Sequence, residues 1–410
     1  MKVTKELKEL AQIFEPLTTL YVVGGSVRNS LMGMPYYDID ICSAISPQKV
    51  KKILEESEYK CTPINEKLGT LLITRNSERY EYTTFRHDSY NKKGTHLPSK
   101  SSFTQNIILD CLRRDFTINA IYYDILKDNY LDYVKGMKDI KKRKICTVDS
   151  PQVTFYDDGL RLLRMIRFAC ELNFKIEKNT LKQARKNACN LKEISAERIR
   201  QELIKILHSD KTYNQKSNRY IYGTKIINKC KFLPNIFDFK INNKIKFKNL
   251  ENYGDKIDRM TLFCIDIYNA CGYDIESFVK IIAKNICLTT AEKIYIKKIL
   301  FALIDLPSFD NDFMIKNFDI LPELILLGHK KVCKKLKILY TQKITSKAPT
   351  DVSKLKISAA DLIKLGAPKI EISRLLKEVL LYAFENPNYN KKSYLTKFVK
   401  SKLKLENTKE

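Results

Sequence analysis

The stretch from Tyr21 to Cys42, YVVGGSVRNSLMGMPYYDIDIC, places two adjacent glycines, an arginine and two alternate aspartates within one short span. Asp38 and Asp40 are two residues apart, so on a strand both carboxylates face the same side. Two like charges that close call for a cation between them, and hard oxygen donors select Mg²⁺. Magnesium ions held this way clamp the attacking and leaving oxygens of a phosphoryl transfer. Gly24, Gly25 and Ser26 let backbone amides approach a phosphate, and a helix starting there aims its N-terminus at the same place. Arg28, one turn into that helix, adds a charge-assisted fork for an anion. Each piece alone is ordinary: Asp-x-Asp can be a solvated strand edge, and Gly-Gly a plain turn. Their order and spacing together point to nucleotide chemistry.

Three further constellations belong with these. Glu81, in YEYTTFR, is a carboxylate on an apolar strand, which is costly unless it is paired or on a metal. It is either a third acid beside the aspartates or a salt-bridged edge residue. In CLRRDFTINAIYYD, the consecutive charges Arg113, Arg114 and Asp115 stand at the lip of an apolar strand. There Arg114 can meet a phosphate or base while Asp115 accepts from a sugar hydroxyl. Asn119, set among apolar residues, is expected to tie down backbone. In DDGLRLLRMIRF, Asp158, Arg161, Arg164 and Arg167 recur every third residue. On one helix, successive members are neighbours but the series drifts around the axis, so not all four are expected to face one ligand. An acid beside an arginine on a rigid helix offers an acceptor and donors that can read a base edge; the plain alternative is an intrahelical ion pair.

Stepping from these groups to the elements that must hold them, the first 145 or so residues mix strands and helices. Strands are expected over Leu20–Val23, Asp38–Ser43, Gly69–Thr74, Glu78–Phe85 and Ile118–Asp124, with a hairpin turn at TRNSERY. Residues 86–106 read as a long polar loop of the kind that is usually functional or disordered. After VDSPQVTF, helical periodicity dominates, with Asp157 and Ser195 placed as N-caps. The polar patch Ser209 to Asn228 reads as a connector. The fold class is therefore α+β: a small mixed α/β head over residues 1–150, then an all-helical neck (151–210), body (211–340) and basic tail (341–410).

The 410 residues carry a net charge of +27, which favours a polyanionic partner such as nucleic acid. Lysine richness alone is weak support for this. The arginines say more, because beyond Arg219 only Arg259 and Arg374 remain, and the guanidinium fork suits phosphates and base edges. Eleven cysteines without a Cys-x-x-Cys pair fit reduced thiols, and four histidines give no zinc spacing. The opening segment is an amphipathic helix carrying acids, and no stretch approaches a membrane span, so a cytoplasmic protein without a membrane partner is expected. The sequence leaves the oligomeric state open.

The motifs GGSVRNSLMG…DIDI, LGTLLI…YEYTTFR, LRRDFTINAI, DYVKGMKD, DDGLRLLRMIRFACEL and ISAERIRQEL, in this order over about residues 18 to 207, resemble those of class II CCA-adding tRNA nucleotidyltransferases. That family belongs with bacterial poly(A) polymerases among the polymerase-β-like enzymes. The resemblance implies Asp38 and Asp40 as Mg²⁺ ligands and Gly25 and Arg28 as triphosphate contacts. It also implies Arg114 and Asp115 facing the nucleotide and its ribose. Asp158 and Arg161 would read CTP or ATP, with Arg164 and Arg167 nearby. The implied reaction adds C, C and A to the 3′ end of tRNA. The chain departs from the family at Asn29, where Asp is common, at Lys135-Gly136 in place of a glycine pair, and at Asp157, where Glu is usual. A poly(A) polymerase or partial CC- or A-adding enzyme of the same fold, and a non-catalytic RNA-binding protein, are the competing readings.

Overall fold

The computed structural model describes residues 1–90, 94, 98–213, 218–241 and 245–407. It divides into two compact units: Met1–Glu251 with Asp266–Gly272 and Lys280–Leu288, and Asn252–Ile265 with Tyr273–Val279 and Thr289–Glu410.

The first unit begins with helix α1 (Lys5–Phe14), whose N-cap Thr4 accepts from the Leu7 amide at 3.2 Å. Strand β1 (Tyr21–Val23) feeds helix α2 (Gly25–Leu31), and β2 (Ile39–Ser43) and α3 (Pro47–Leu54) follow. Next come β3 (Lys60–Asn65), β4 (Thr70–Arg75), β5 (Glu78–Thr84), β6 (Arg86–Ser89), β7 (Lys100–Phe103) and α4 (Ile107–Leu112). After a 3-10 turn at Thr117–Asn119 come β8 (Tyr122–Asp124), β9 (Asn129–Leu131) and α5 (Gly136–Lys141). The main sheet has the order β3-β4-β5-β2-β1-β8-β9; only the β2–β5 pair is parallel.

Register explains the sheet's two faces. Val22 stands opposite Ile41 and Tyr123, and Ile41 opposite Tyr82. These side chains pack under Leu7, Leu10 and Phe14 of α1 and Val50 of α3 in one buried core, each large apolar group contributing roughly 1.5–3 kcal/mol. The alternate residues, Val23, Cys42 and Tyr122, face the other way, into a smaller core with Cys111 of α4. Asp40 stands opposite Val23 and Glu81, so it belongs to this second face.

Helices complete the unit: α6 (Pro151–Asp157), α7 (Leu160–Glu171), α8 (Lys178–Lys186), α9 (Ala196–Leu207), α10 (Ser209–Thr212) and α11 (Arg219–Lys229). The second unit is helical, with a core of Leu375, Val379, Ala383, Leu395 and Val399 between helices Ile372–Glu385 and Lys392–Asn407. An α+β fold with helices after the head is what the sequence led one to expect.

Several expected elements differ. Ile118 and Asn119 lie in the 3-10 turn, and the strand starts only at Tyr122. The reason is Thr117, whose hydroxyl donates to Asp139 and whose carbonyl packs against Gly136, fixing a turn there. Strand β3 carries Pro63, which an edge strand tolerates because one side of its backbone needs no ladder partner. The loop at 86–106 opens and closes as a β6–β7 ribbon with Arg86 opposite Phe103; residues 91–93 and 95–97 lie outside the described residues. The supposed connector Ser209–Asn228 holds α10 and most of α11. Tyr220, Ile221, Ile226 and Ile227 of α11 are buried, and Gly223 lets α11 close on Cys170 and Ile206. Ser195 occupies the N-cap position of α9 without a side-chain capping bond. Asp157 ends α6 and is not a cap for α7.

Candidate active site

The turn after β1 puts Gly24 at φ +86°, ψ −141°, a backbone setting that side-chain-bearing residues disfavour. A Cβ on Gly24 would sit 3.1 Å from Asp40 Oδ2. The glycine turn and the Asp40 carboxylate are thus in direct contact. Asp38, one residue before β2, lines the same cavity as Asp40, Gly24, Gly25 and Ser26. The Ser26 hydroxyl turns back to the Val23 carbonyl at 3.5 Å.

Asp40 has an open side toward the cavity, yet surrounding protein raises its pKa from the usual carboxylate value to about 6. Burial is the leading cause. The neighbouring Glu81 and Asp38 carboxylates push the same way, and Arg114 and Arg164 pull against them. Burial and neighbouring acids both disfavour the charged form of this carboxyl, so a positive charge beside it would be stabilising. Glu81 is exposed beside Asp40 in the β2–β5 register. Among the described residues no three acids, thiols or imidazoles converge as a metal cluster.

The cavity is about 760 Å³ and its far lining is cationic. Arg28 is 3% exposed. Its Nη1 donates to Asn119 Oδ1 at 2.6 Å, and its Nε and Nη2 donate to Asn29 Oδ1 at 3.1 and 2.8 Å. The phenol of Tyr213 receives a further bond from Nη2 at 3.2 Å. Asn119 Nδ2 then donates to Asp115 Oδ1 at 3.2 Å, and Asp115 Oδ2 accepts from Arg164 Nε at 2.8 Å and Nη2 at 2.5 Å. Arg164 beside it holds the buried Asp115 carboxyl below the usual range despite burial pushing the other way. Asn119 therefore joins Arg28 to Asp115 by its side chain, whereas the sequence led one to expect it to tie down backbone.

Arg113 and Arg114 share one buried acid, Asp110. Arg113 Nε donates to its Oδ1 at 2.8 Å, and Arg114 Nη2 and the Tyr122 hydroxyl donate to its Oδ2 at 2.8 and 2.7 Å. Burial alone would raise the Asp110 pKa, but the two arginines overcome it and hold it well below the ordinary value. Asp110 was not singled out from sequence, because an acid near the end of an amphipathic helix looks like a solvated face.

The stretch that carries Asp158, Arg161, Arg164 and Arg167 is not one continuous helix. The chain breaks between α6 and α7, where Asp158 is extended at φ −141°, ψ 107°. Its Oδ1 accepts from the Leu160 amide at 2.8 Å, and Arg161 Nε lies 3.9 Å from its Oδ2. Arg161 Nη1 and Nη2 donate to the carbonyls of Thr154 and Arg113 at 3.2 and 2.6 Å. This break, together with the reach of the arginines, lets Asp158, Arg161, Arg164 and Arg167 all line one cavity, contrary to the expectation from a continuous helix. Arg167 Nε pairs with Glu202 Oε2 at 2.9 Å.

Phe168 was also missed. The guanidinium carbons of Arg28, Arg164 and Arg167 lie 5.3, 5.2 and 4.3 Å from its ring centroid. A ring's negative face eases the crowding of three cations, each contact contributing roughly 0.5–2 kcal/mol. Among the described residues the cavity also takes in Tyr213, from the segment read as a connector.

Comparison with known proteins agrees with this architecture. Residues 20–146 match the family described as Poly A polymerase head domain, and residues 173–214 match the family described as Probable RNA and SrmB-binding site of polymerase A. The chain is 33% identical over 304 residues to a CCA-adding enzyme of Staphylococcus saprophyticus, covering 65% of this chain and 74% of that one. It is 37% identical over 203 residues to a CCA-adding enzyme of Ligilactobacillus salivarius, where the match spans about half of each chain (50% and 49%). The fold is that of the Bacillus stearothermophilus CCA-adding enzyme solved in complex with CTP, at TM-score 0.70, 21% identity and full coverage of both chains. It is also that of the Thermotoga maritima CCA-adding enzyme complexed with tRNA_CCA, at TM-score 0.69, 21% identity and coverage of 98% and 96%. By its sequence, its sheet and its helices, the chain belongs to the CCA-adding enzyme family of nucleotidyltransferases.

Proposed function

We propose that the protein adds C, C and A to the 3′ end of tRNA without a nucleic-acid template, drawing on CTP and ATP and releasing pyrophosphate. The observation that carries this is the placement of Asp40 against Gly24 on the wall of a cavity rich in arginine. Asp38 and Asp40 would hold Mg²⁺; their hard oxygens and the raised pKa of Asp40 suit a divalent cation. When bound, that ion would supply charge neutralisation at the reacting phosphate.

The chain's own groups do the rest. Arg28, held by Asn29 and Asn119, and the amides after Gly24 receive the triphosphate. Asp115, oriented by Arg164 and Asn119, accepts from the ribose. Asp158 and Arg161, fixed at the α6–α7 break, present an acceptor and donors to the base edge. The 3′-hydroxyl oxygen of the RNA bonds to the α-phosphorus as the α–β phosphoanhydride bond breaks, so pyrophosphate leaves and the hydroxyl proton passes to solvent. Glu81, facing Asp40 across the β2–β5 pair, tunes that carboxylate. Residues 1–150 serve as head, 151–210 as neck, 211–340 as body and 341–410 as an RNA-holding tail rich in lysine. Among the described residues no helix is long and apolar enough to cross a membrane.

The test is product length. Purified protein with Mg²⁺, CTP, ATP and tRNA ending before CCA should lengthen the RNA by three nucleotides. Long homopolymeric tails would favour a poly(A) polymerase instead. RNA binding by folded protein that incorporates nothing would leave a non-catalytic binder.

A further inference from the structure

Tyr37 is 86% exposed, yet it lines the cavity and directly precedes Asp38. An aromatic ring in that position is not part of a core, and its backbone is not loose. The Asn29 amide nitrogen donates to the Pro35 carbonyl at 2.9 Å, and the Met34 amide to the Asn29 carbonyl at 2.8 Å. The Tyr36 hydroxyl donates to the Lys2 carbonyl at 2.6 Å. Strand β2 takes over at Ile39. The chain on both sides of Tyr37 is pinned while its ring stands in solvent at the cavity rim.

The chemistry of this rim differs from that of the cavity's other lining. Gly33 to Tyr37 carries no charge, whereas the groups around Arg28, Arg114, Asp115 and Arg164 are dense in guanidinium. A phosphate therefore goes to the arginines. An uncharged rim with a free ring takes a planar apolar face. The reaction proposed above brings two molecules to Asp38 and Asp40, a nucleoside triphosphate and an RNA 3′-terminus, and only the first is provided for by the arginines.

We infer that Tyr37 is a positioning residue for the RNA primer: its ring stacks on the base of the 3′-terminal nucleotide and aims that nucleotide's hydroxyl at the Asp38–Asp40 pair. This rests on the proposed nucleotidyl transfer. Base-on-ring stacking tolerates any base, which suits a terminus that changes identity with every addition.

The natural chain contains no tryptophan, so Tyr37→Trp installs a sole indole reporter. Its fluorescence should fall on addition of tRNA lacking CCA, without Mg²⁺ or nucleotide, and stay unchanged with CTP alone. In steady state, Tyr37→Ala should raise KM for the tRNA primer about tenfold and lower kcat, with KM for CTP nearly unchanged, and Tyr37→Phe should restore both. The thermal midpoint should not move, because an exposed ring supports no packing. Quenching by CTP alone, or an unchanged primer KM in Tyr37→Ala, would overturn the assignment. Because the fluorescence arm needs no turnover, its result stands apart from any failure of the transferase reading, which wild-type incorporation reports.

Discussion

Arg28 Nη1 lies 2.6 Å from Asn119 Oδ1, joining the helix after the glycine turn to the 3-10 turn that precedes β8. The same amide passes on to Asp115. Two residues 91 positions apart are thereby locked into one hydrogen-bonded network on the cavity wall. Both ends of the Asn119 side chain are used, so neither Asp nor Leu can replace it without leaving a buried group unmatched.

Asn119→Ala should therefore weaken CTP binding by about tenfold and cost roughly 1–3 kcal/mol of stability. Isothermal titration with CTP and urea denaturation check the two effects separately. Unchanged CTP affinity would remove Asn119 from the binding network.

Phe168→Leu keeps apolar volume but deletes the ring beneath three guanidinium groups. The fold should survive, and the arginines should repel one another and scatter. Triphosphate affinity should drop by about fivefold to thirtyfold, in line with roughly 1–2 kcal/mol of lost cation–π attraction. Nucleotide titration at low salt is the appropriate measurement.

Gly24 and Gly33 form a matched pair. Both have positive φ, +86° and +65°, but a Cβ on Gly33 meets nothing within 4 Å, whereas on Gly24 it meets Asp40. Either Gly→Ala change should cost about 1–2 kcal/mol of stability from the backbone. Only Gly24→Ala should also abolish turnover, because the methyl intrudes on the Asp40 carboxylate. Thermal unfolding and incorporation assays run side by side distinguish the two.

Asp266 offers a pH signature away from the site. Burial raises its pKa to about 6, against the bonds that its carboxylate accepts from Asn249 and Leu250. A folded-state pKa above the unfolded value means that protonation stabilises the fold below the unfolded pKa. That contribution is lost as pH rises through about 6. Stability by urea denaturation should thus fall from about pH 4 to about pH 6 at this group, in Asp266→Asn much less so.

The sequence made the head's sheet and its acids legible because Asp38 and Asp40 sit in a strict alternation next to an unmistakable glycine turn. Local pattern carries that information. The supporting residues were hidden for a different reason: Asn119 and Tyr213 act through Arg28, 91 and 185 residues away, while Asp110 and Phe168 meet arginines within one turn and only their burial or stacking sets them apart from an ordinary helix face. A polar residue near a helix end or in an apolar run gives no local sign of such a partner. The break at Asp158–Gly159 was legible only as a helix start, which the sequence placed at Asp157 and the structure places at Gly159. Its cause is tertiary: a Cβ on Gly159 would lie 2.4 Å from the Asn190 carbonyl, and Asn190 Nδ2 ties to the Phe155 carbonyl at 2.6 Å. Lys135 shows the opposite case. At φ +64° it fills a left-handed position where glycine would relieve strain. The Asp132 carboxylate stabilises that turn by accepting from the Gly136 and Met137 amides.

The most direct measurement compares wild type with Asp40→Asn on labelled tRNA that ends before CCA, in Mg²⁺ with CTP and ATP, resolving products to single nucleotides. Wild type should yield a product three nucleotides longer, and Asp40→Asn should yield none while still binding the RNA. Equal extension by both proteins would contradict the assignment of Asp40 to the reacting centre, and with it the proposed reaction.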